Sequence, residues 1–405
     1  MSGFEAIAPG TDLGVRAREL LRIHDAVIGG GRPPQRPRPL VARSWRRVLD
    51  AGLDPAGRNA RSPLPFAEVE RRRRSSRLAL VVDELRAVLG SIADASHFLI
   101  VVTDADGVIL WREGAAGVRR RADSLGFSEG ALWTEAAVGT NAIGTALAED
   151  APVQLFSAEH FEPQQHPWYC TAAPVHDPRT GALLGVVDVS GPALTLHPAI
   201  GALVETAVKL GESRLWRRHH DDLERLRRSS APLLQGEPGP FLVVDEDGWV
   251  AHHAGMGGRD RIEAPRADRP VAVPGLGICL PERLGDGWLV RPGGDVRRLE
   301  ARLVRGRRPL LEVGGAGAGW RTVLTPRHAD LLVALARAGA QGTTAPALSG
   351  VLYGDAEHQV TVRAEVSRLR RVVGALVLTG PYRLAPGVRL LVEPGEDCEA
   401  GGARS

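Results

Sequence analysis

The stretch WTEAAVGTNAIGTALAED, Trp133 to Asp150, with HPWYCTAAPVHDP following from His166 to Pro178, sets the reading of this chain. It combines tryptophan, a carboxylate, an asparagine, glycines, histidines and a cysteine, and its role is catalytic, ligand-binding or purely structural. Catalysis finds residue types here without an arrangement. There is no Gly-x-Ser-x-Gly elbow and no His-Glu-x-x-His, and Glu135, Glu149, Glu159 and Asp188 fall at no diagnostic spacing. His160, His166, Cys170 and His176 are spaced irregularly, by 6, 4 and 6 residues, so packing and hydrogen bonding account for them better than a metal. No catalytic residue, metal or cofactor is therefore expected. A pocket fits better. A short helix over EAAVGTNAIGTALAE, laid across strands, closes a mostly apolar hollow, with Trp133, Glu135, Asn141, Thr145, His160 and Asp188 as candidates for contact with a small-molecule effector. Trp133 and Asn141 have a second reading, in which they hold the helix on the sheet and touch no ligand.

Outward from this stretch the pattern is α+β and multidomain. FLIVVTDADGVILWREG (98–114) reads as two strands joined by an Asp-Ala-Asp-Gly turn. Further strands are predicted at 152–156, 171–177 and 182–190, and helices at 66–96 and about 198–228. FLVVDEDGWVAHHAG (241–255) loosely repeats the hairpin and points to a second, smaller α+β module over 237–312. An N-terminal helix and the Pro/Gly-rich connector GGGRPPQRPRPL occupy 1–40, a helical leading segment 41–96, and the first sensor-like domain with its flanking helix 97–230. GGAGAG (314–319) reads as a linker and 394–405 as a disordered tail.

Residues 321–393 form the last predicted domain. Thr325 caps a helix that Pro326 opens and Gly339 stops, and a second short helix ends at Gly354. In the third, VTVRAEVSRLRRVVG, Val362, Val366, Leu369 and Val373 step by 4, 3 and 4 and make one apolar face. Thr361, Arg363, Ser367, Arg368, Arg370 and Arg371 lie on the other half. PYRLAPGVRLLV is predicted as a hairpin bearing Arg383 and Arg389. A core-facing stripe backed by guanidiniums suits a helix entering the DNA major groove, with the hairpin as a wing. Across 321–390 nine arginines face four acidic residues, a local +5 against +3 for the whole chain. An ordinary three-helix module with a solvated arginine face is the plain alternative.

Two resemblances sharpen these readings. LWTEAAVGTNAIGTALAEDAPVQLFSAEHF, then CTAAPVHDPRTGALLGVVDVSGP, closely resembles the GAF sensor domain of acetoin-catabolism and glycerol-metabolism regulators, and ARSWRRVLDAGLDP (42–55) matches the segment leading into it. The best-known members of that family activate transcription with an ATPase module. Here the single lysine, Lys209, sits in TAVKLGES and cannot complete a Walker A loop, so the resemblance implies the sensor half alone. The third helix with PYRL is similar to the recognition helix and wing of OmpR/PhoB-type winged-helix regulators, through Val362, Val366, Arg368, Leu369, Arg370, Tyr382, Arg383 and Leu384. Pro381 stands where that family usually has glycine. Together these imply a GAF sensor, a PAS-like or degenerate second module and a C-terminal winged helix-turn-helix in a one-component transcriptional regulator. Its partners would be double-stranded DNA, a small-molecule effector, a second copy of the chain through helices 66–96 and 198–228 (Leu203, Val208, Leu215, Trp216), and RNA polymerase. A signalling scaffold, with a GAF dimerisation platform and a protein-binding C-terminal module, is the rival.

Composition agrees with a globular protein of several domains: 405 residues, 43% hydrophobic and 24% charged. No apolar run of 18 residues and no signal-peptide layout is found at the N-terminus, so a cytoplasmic, non-membrane protein is expected. Three scattered cysteines, Cys170, Cys279 and Cys398, argue against a disulfide framework.

Overall fold

The computed structural model describes residues 5–56, 63–96, 98–237, 239–267, 269–274, 276–292, 299–314 and 320–394, with backbone only for 91–96. The chain divides into two compact units, residues 1–219 and 220–405. The predicted tail and most of the GGAGAG linker lie outside the described residues.

Unit 1 begins with α1 (Leu13–Ile28), capped by Asp12, whose side chain accepts the Val15 N–H, and α2 (Pro39–Asp50). The connector between them ends in Arg38, whose guanidinium donates to the Glu159 carboxylate and to the carbonyls of Glu5 and Gln154. The end of the connector is thus pinned, where composition alone suggested loose order. The helix predicted over 66–96 is two, α3 (Phe66–Ser75) and α4 (Val82–Ser96), because Ser76 is extended and its side chain caps a 3-10 turn.

The sheet of unit 1 contains β1 (Leu99–Asp104), β2 (Ile109–Gly114), β3 (Val153–Phe156), β4 (Trp168–His176) and β5 (Leu183–Pro192). Its order is β2-β1-β5-β4-β3, antiparallel throughout. The predicted hairpin forms because Asp104 Oδ1 accepts the N–H groups of Asp106 and Val108. Between β2 and β3 lie α5 (Ala116–Asp123), α6 (Glu135–Val138) and α7 (Ala142–Glu149); α8 (Ile200–Ser230) follows β5. The helix expected over EAAVGTNAIGTALAE is therefore split into α6 and α7. Gly139, at φ 75°, makes the break, and a Cβ there would stand 2.5 Å from the Phe161 ring. At Gly144 a Cβ would meet the Glu135 amide nitrogen at 2.5 Å, so α7 packs backbone-close on the start of α6. In α8, Val208 and Leu215 are buried within unit 1, so they do not supply the spare apolar surface assigned to them for dimerisation; Leu210 is exposed instead.

Unit 2 holds a second five-stranded antiparallel sheet, β6 (Phe241–Val244), β7 (Val250–Ala254), β8 (Val271–Val273), β9 (Gly277–Leu284) and β10 (Gly287–Pro292), in the order β7-β6-β10-β9-β8. This is the strand order of unit 1 again, down to the turn: Asp245 Oδ1 accepts from Asp247 and Trp249 as Asp104 does from its neighbours. Among the described residues no helix lies between β7 and β8.

The remainder of unit 2 comprises β11 (Leu299–Arg305), β12 (Leu310–Gly314), β13 (Trp320–Val323), α9 (Pro326–Ala338), α10 (Ala345–Tyr353), α11 (Gln359–Val373), β14 (Val377–Thr379), β15 (Tyr382–Leu384) and β16 (Val388–Pro394). Thr325 and Thr344 cap α9 and α10 as their sequence predicts. Two boundaries differ from the sequence reading. Leu299–Gly314, grouped by sequence with the 237–312 module, joins the four-stranded sheet β13-β12-β11-β16 over the three helices. The predicted hairpin over PYRLAPGVRLLV is not formed: β15 pairs with β14, and β16 runs parallel to β11. The reason is that Leu390 continues the apolar face shared with Ala301 and Leu303, which outweighs the local turn signal.

The close approach at Gly144 generates a direct test. Gly144→Ala is expected to destabilise the protein by roughly 1–3 kcal/mol through overpacking against α6, read as a lower urea midpoint by tryptophan fluorescence. Ala146→Gly, two residues on, is expected to cost only about 1 kcal/mol of helix propensity plus its lost methyl packing.

Candidate functional site

A small cavity of about 20 Å³, room for a single water, opens between the sheet of unit 1 and the segments above it. Its walls are Leu125, Phe127 and Trp133 from the segment before α6, Asn141 and Ile143 at the head of α7, and Trp168, Cys170, Asp188 and Ser190 on β4 and β5. Alternation along paired strands puts Cys170 opposite Ser190 and Asp188 opposite Ala172, so their side chains line one face. Phe127 and Trp133 meet edge to face with centroids 4.3 Å apart.

Asp188 is the chemically distinct group. Ser190 Oγ donates to its Oδ2 at 2.5 Å and lies 3.0 Å from Cys170 Sγ, while Oδ1 has no hydrogen-bond partner. Burial raises its pKa to about 7, against a smaller lowering by the Ser190 hydroxyl. Burial and the neighbouring Asp188 likewise push the Cys170 thiol well up, which makes it a poor thiolate and a poor redox sensor. The cavity therefore has aromatic walls and one carboxyl oxygen without a hydrogen-bond partner.

Of the six residues singled out by sequence, the structure brings Trp133, Asn141 and Asp188 together at this cavity; Glu135, Thr145 and His160 lie elsewhere. Glu135 receives a bidentate pair from Arg47 (2.7 and 2.8 Å) and the Ser44 hydroxyl at 2.5 Å, and Thr145 sits 3.3 Å from the same hydroxyl. Both serve the docking of α2. His160, fully buried with Nδ1 on the Ser157 carbonyl, is held near pKa 4 by burial. Asn141 is structural as well as lining, since its Oδ1 caps α7 through the Gly144 N–H. Leu125, Phe127 and Trp168 were missed, because their pattern is that of ordinary core residues. Among the described residues no group of three or more His, Cys, Asp and Glu is placed to hold a metal.

In unit 2, Val362, Val366, Leu369 and Val373 are all buried, and Thr361, Arg363, Ser367, Arg368, Arg370 and Arg371 are all exposed. A cleft of about 300 Å³ gathers Arg363, Ser367, Arg370 and Arg371 of α11 with Thr379 and Tyr382 of the β14–β15 hairpin, and Glu263 and Arg269 from the second sheet module. Arg370 Nε donates to the Val377 carbonyl. Arg368 turns to Glu365 at 2.7 Å, and Arg383 donates to the Ala340 carbonyl. Arg389 lies on β16, opposite Glu300, and so leaves the hairpin altogether.

Residues 39–211 match the family described as MimR, N-terminal domain. The chain is 33% identical over 387 residues to an uncharacterised 47.3 kDa protein in the thcA 5′ region of Rhodococcus erythropolis, covering 94% of this chain and 72% of that one. It is 33% identical over 221 residues to the acetoin dehydrogenase operon transcriptional activator AcoR of Bacillus subtilis, 52% of this chain and 36% of the activator. The chain thus spans about a third of the AcoR sequence. The N-terminal part of DhaR from E. coli, solved in complex with DhaL, aligns with TM-score 0.45 at 18% identity over 63% of this chain and 99% of that one. The functionally named relatives are transcriptional regulators, not enzymes. Among the described residues no helix is long and apolar enough to cross a membrane.

The raised pKa of Asp188 has a definite sign in stability. Between the unfolded value, 3.8, and about 7 the folded chain keeps a proton that the unfolded chain has lost, so this contribution falls as pH rises through that window. Asp188→Asn is therefore expected to gain on the unsubstituted protein by about 2–3 kcal/mol between pH 5 and pH 8. Urea unfolding of both proteins at the two pH values measures it; an unchanged difference would remove the buried-carboxyl assignment.

Proposed function

Since the chain belongs to the family of the Rhodococcus erythropolis 47.3 kDa protein and carries a MimR N-terminal domain, we propose that it is a transcriptional regulator that senses a small molecule in unit 1 and binds double-stranded DNA through unit 2. In this reading 97–230 is a GAF sensor with its flanking helix, the second sheet is a PAS-like module with no helix between β7 and β8 among the described residues, and α9–α11 with the β14–β15 hairpin form a winged helix.

The observation that carries the DNA half is the division of α11. Four apolar residues are sealed in the core while Arg363, Ser367, Arg370 and Arg371 share one cleft beside the hairpin. Arg363 and Arg371 are exposed and have no side-chain hydrogen bond or ion pair among the described residues, so no group of the chain neutralises the guanidiniums that would meet phosphates and base edges. Arg368 and Arg383 are tied within their own unit and contribute less. Two copies of the chain would present two such helices to paired half-sites.

The effector half rests on Asp188 Oδ1, an unsatisfied acceptor inside an aromatic cavity. The cavity has room for about one water.

The test of the DNA half is a titration against selected and scrambled duplexes at several salt concentrations. Arg363→Ala is expected to cost about 1–3 kcal/mol on the selected site and to relax preference at one base position. Arg371→Ala should weaken both duplexes alike and reduce the salt slope by about one. Retention without salt dependence would point instead to a protein-binding module.

A further inference from the structure

The cleft on α11 is not built from the three-helix module alone. Glu263 and Arg269 reach it from the segment that precedes β8, and that segment is fastened to the C-terminal end of the helix. Arg269 Nη1 donates to the Arg371 carbonyl at 3.2 Å, one of the last-turn carbonyls that a helix leaves without an internal partner. A guanidinium is also favoured there by the helix dipole. Next to it, Gly374 ends α11 at φ 56°, and a Cβ on it would lie 2.6 Å from the Pro270 carbonyl oxygen. Only glycine tolerates both the conformation and the approach. Ile278 of β9 packs on the core of the three-helix module and extends the contact.

The fastening has an electrostatic consequence. Glu263 Oε1 stands 3.7 Å from Arg269 Nη2 and its side chain is 58% exposed, so a carboxylate shares the cleft with Arg363, Ser367, Arg370 and Arg371. A helix that enters the major groove has a phosphate strand along each flank, and B-DNA carries about one charge per 1.7 Å of axis. A docked module bearing a carboxylate occupies one of those flanks with the wrong sign.

We propose that Glu263, with Arg269 and Pro270, is a gate on α11: docked as they are here they stand at one flank of the DNA-reading face, and DNA binding requires them to leave the helix. The proposal rests on the reading of α11 as a DNA-binding helix. Arg269 is the latch, Gly374 the seat and Glu263 the element that excludes phosphate.

The test uses the full chain and two duplexes, one enriched from a random library by whichever of the unsubstituted and Arg269→Ala chains retains DNA, and one scrambled. Arg269→Ala removes a charge-assisted hydrogen bond from the closed state, and is expected to tighten binding to both duplexes by about tenfold. Glu263→Gln should tighten it by about threefold and keep the latch partner in place. Were Arg269 simply another phosphate contact, its loss would weaken binding and lower the salt slope by about one, and the gate would be refuted. Equal affinity of all three proteins also refutes it. Binding by the variant and not by the unsubstituted chain supports it, and absence of binding by every form overturns the DNA reading and the gate together. Hydrogen exchange supplies an independent readout that needs no variant. Added DNA should protect 359–373 and expose 263–267 and 269–274; protection of both regions would make the second module part of the DNA footprint and end the proposal.

Discussion

The burial of two carboxylates beneath α2 is the constraint on which the architecture of unit 1 depends. Glu135 and Glu159 are almost inaccessible, and a carboxylate in that position is costly unless charged donors reach it. Arg47 and Ser44 of α2 satisfy Glu135, and Arg38, just before α2, satisfies Glu159. Trp45 Nε1 adds a bond to the Glu159 carbonyl. These contacts hold the N-terminal helices onto α6 and the turn after β3. Arg47 and Arg43 also share Glu149 at the far end of α7, holding that carboxyl below its usual range chiefly through the Arg43 hydrogen bond. The covering helices are thus located by charge as much as by apolar packing.

The two five-stranded sheets are put to different uses. Both sheets run 2-1-5-4-3 and share the same aspartate-capped turn. In the first, α5, α6 and α7 bridge from β2 to β3 and leave a gap over Asp188. In the second, the equivalent segment runs without described helices and instead supplies Glu263, Arg269 and Pro270 to the end of α11. The same scaffold therefore encloses a hollow in one case and provides a docking edge in the other.

The chemistry of the cavity and the cleft differ in kind. Asp188, buried with the Ser190 hydroxyl as its donor, is held neutral or nearly so at mildly acidic pH. The α11 cleft concentrates permanent positive charge that only another anion can balance. A site of the first kind selects by shape and a single hydrogen bond, and a site of the second kind by charge and salt. In the proposed function, sensing and DNA reading therefore rest on different physical mechanisms.

Local pattern determined much of this protein by itself. The aspartate turns, the Thr325 and Thr344 caps, the apolar stripe of α11 and the strands around the first hairpin follow from neighbours within a few residues, where periodicity and capping chemistry act. Long-range pairing decided the rest. Glu135, Thr145 and His160 read as pocket residues until the partners that claim them, Ser44, Arg47 and the Ser157 carbonyl, are brought near, and two of those partners lie about ninety residues away. Leu125, Phe127 and Trp168 look like core and become cavity wall only when β4, β5 and α7 leave a gap between them. β16 abandons its predicted hairpin partner because β11, more than eighty residues earlier, offers a matching apolar face. A residue's polarity and spacing are written in the chain, but which groups satisfy one another is settled only when distant segments compete for the same buried donors, acceptors and apolar surface.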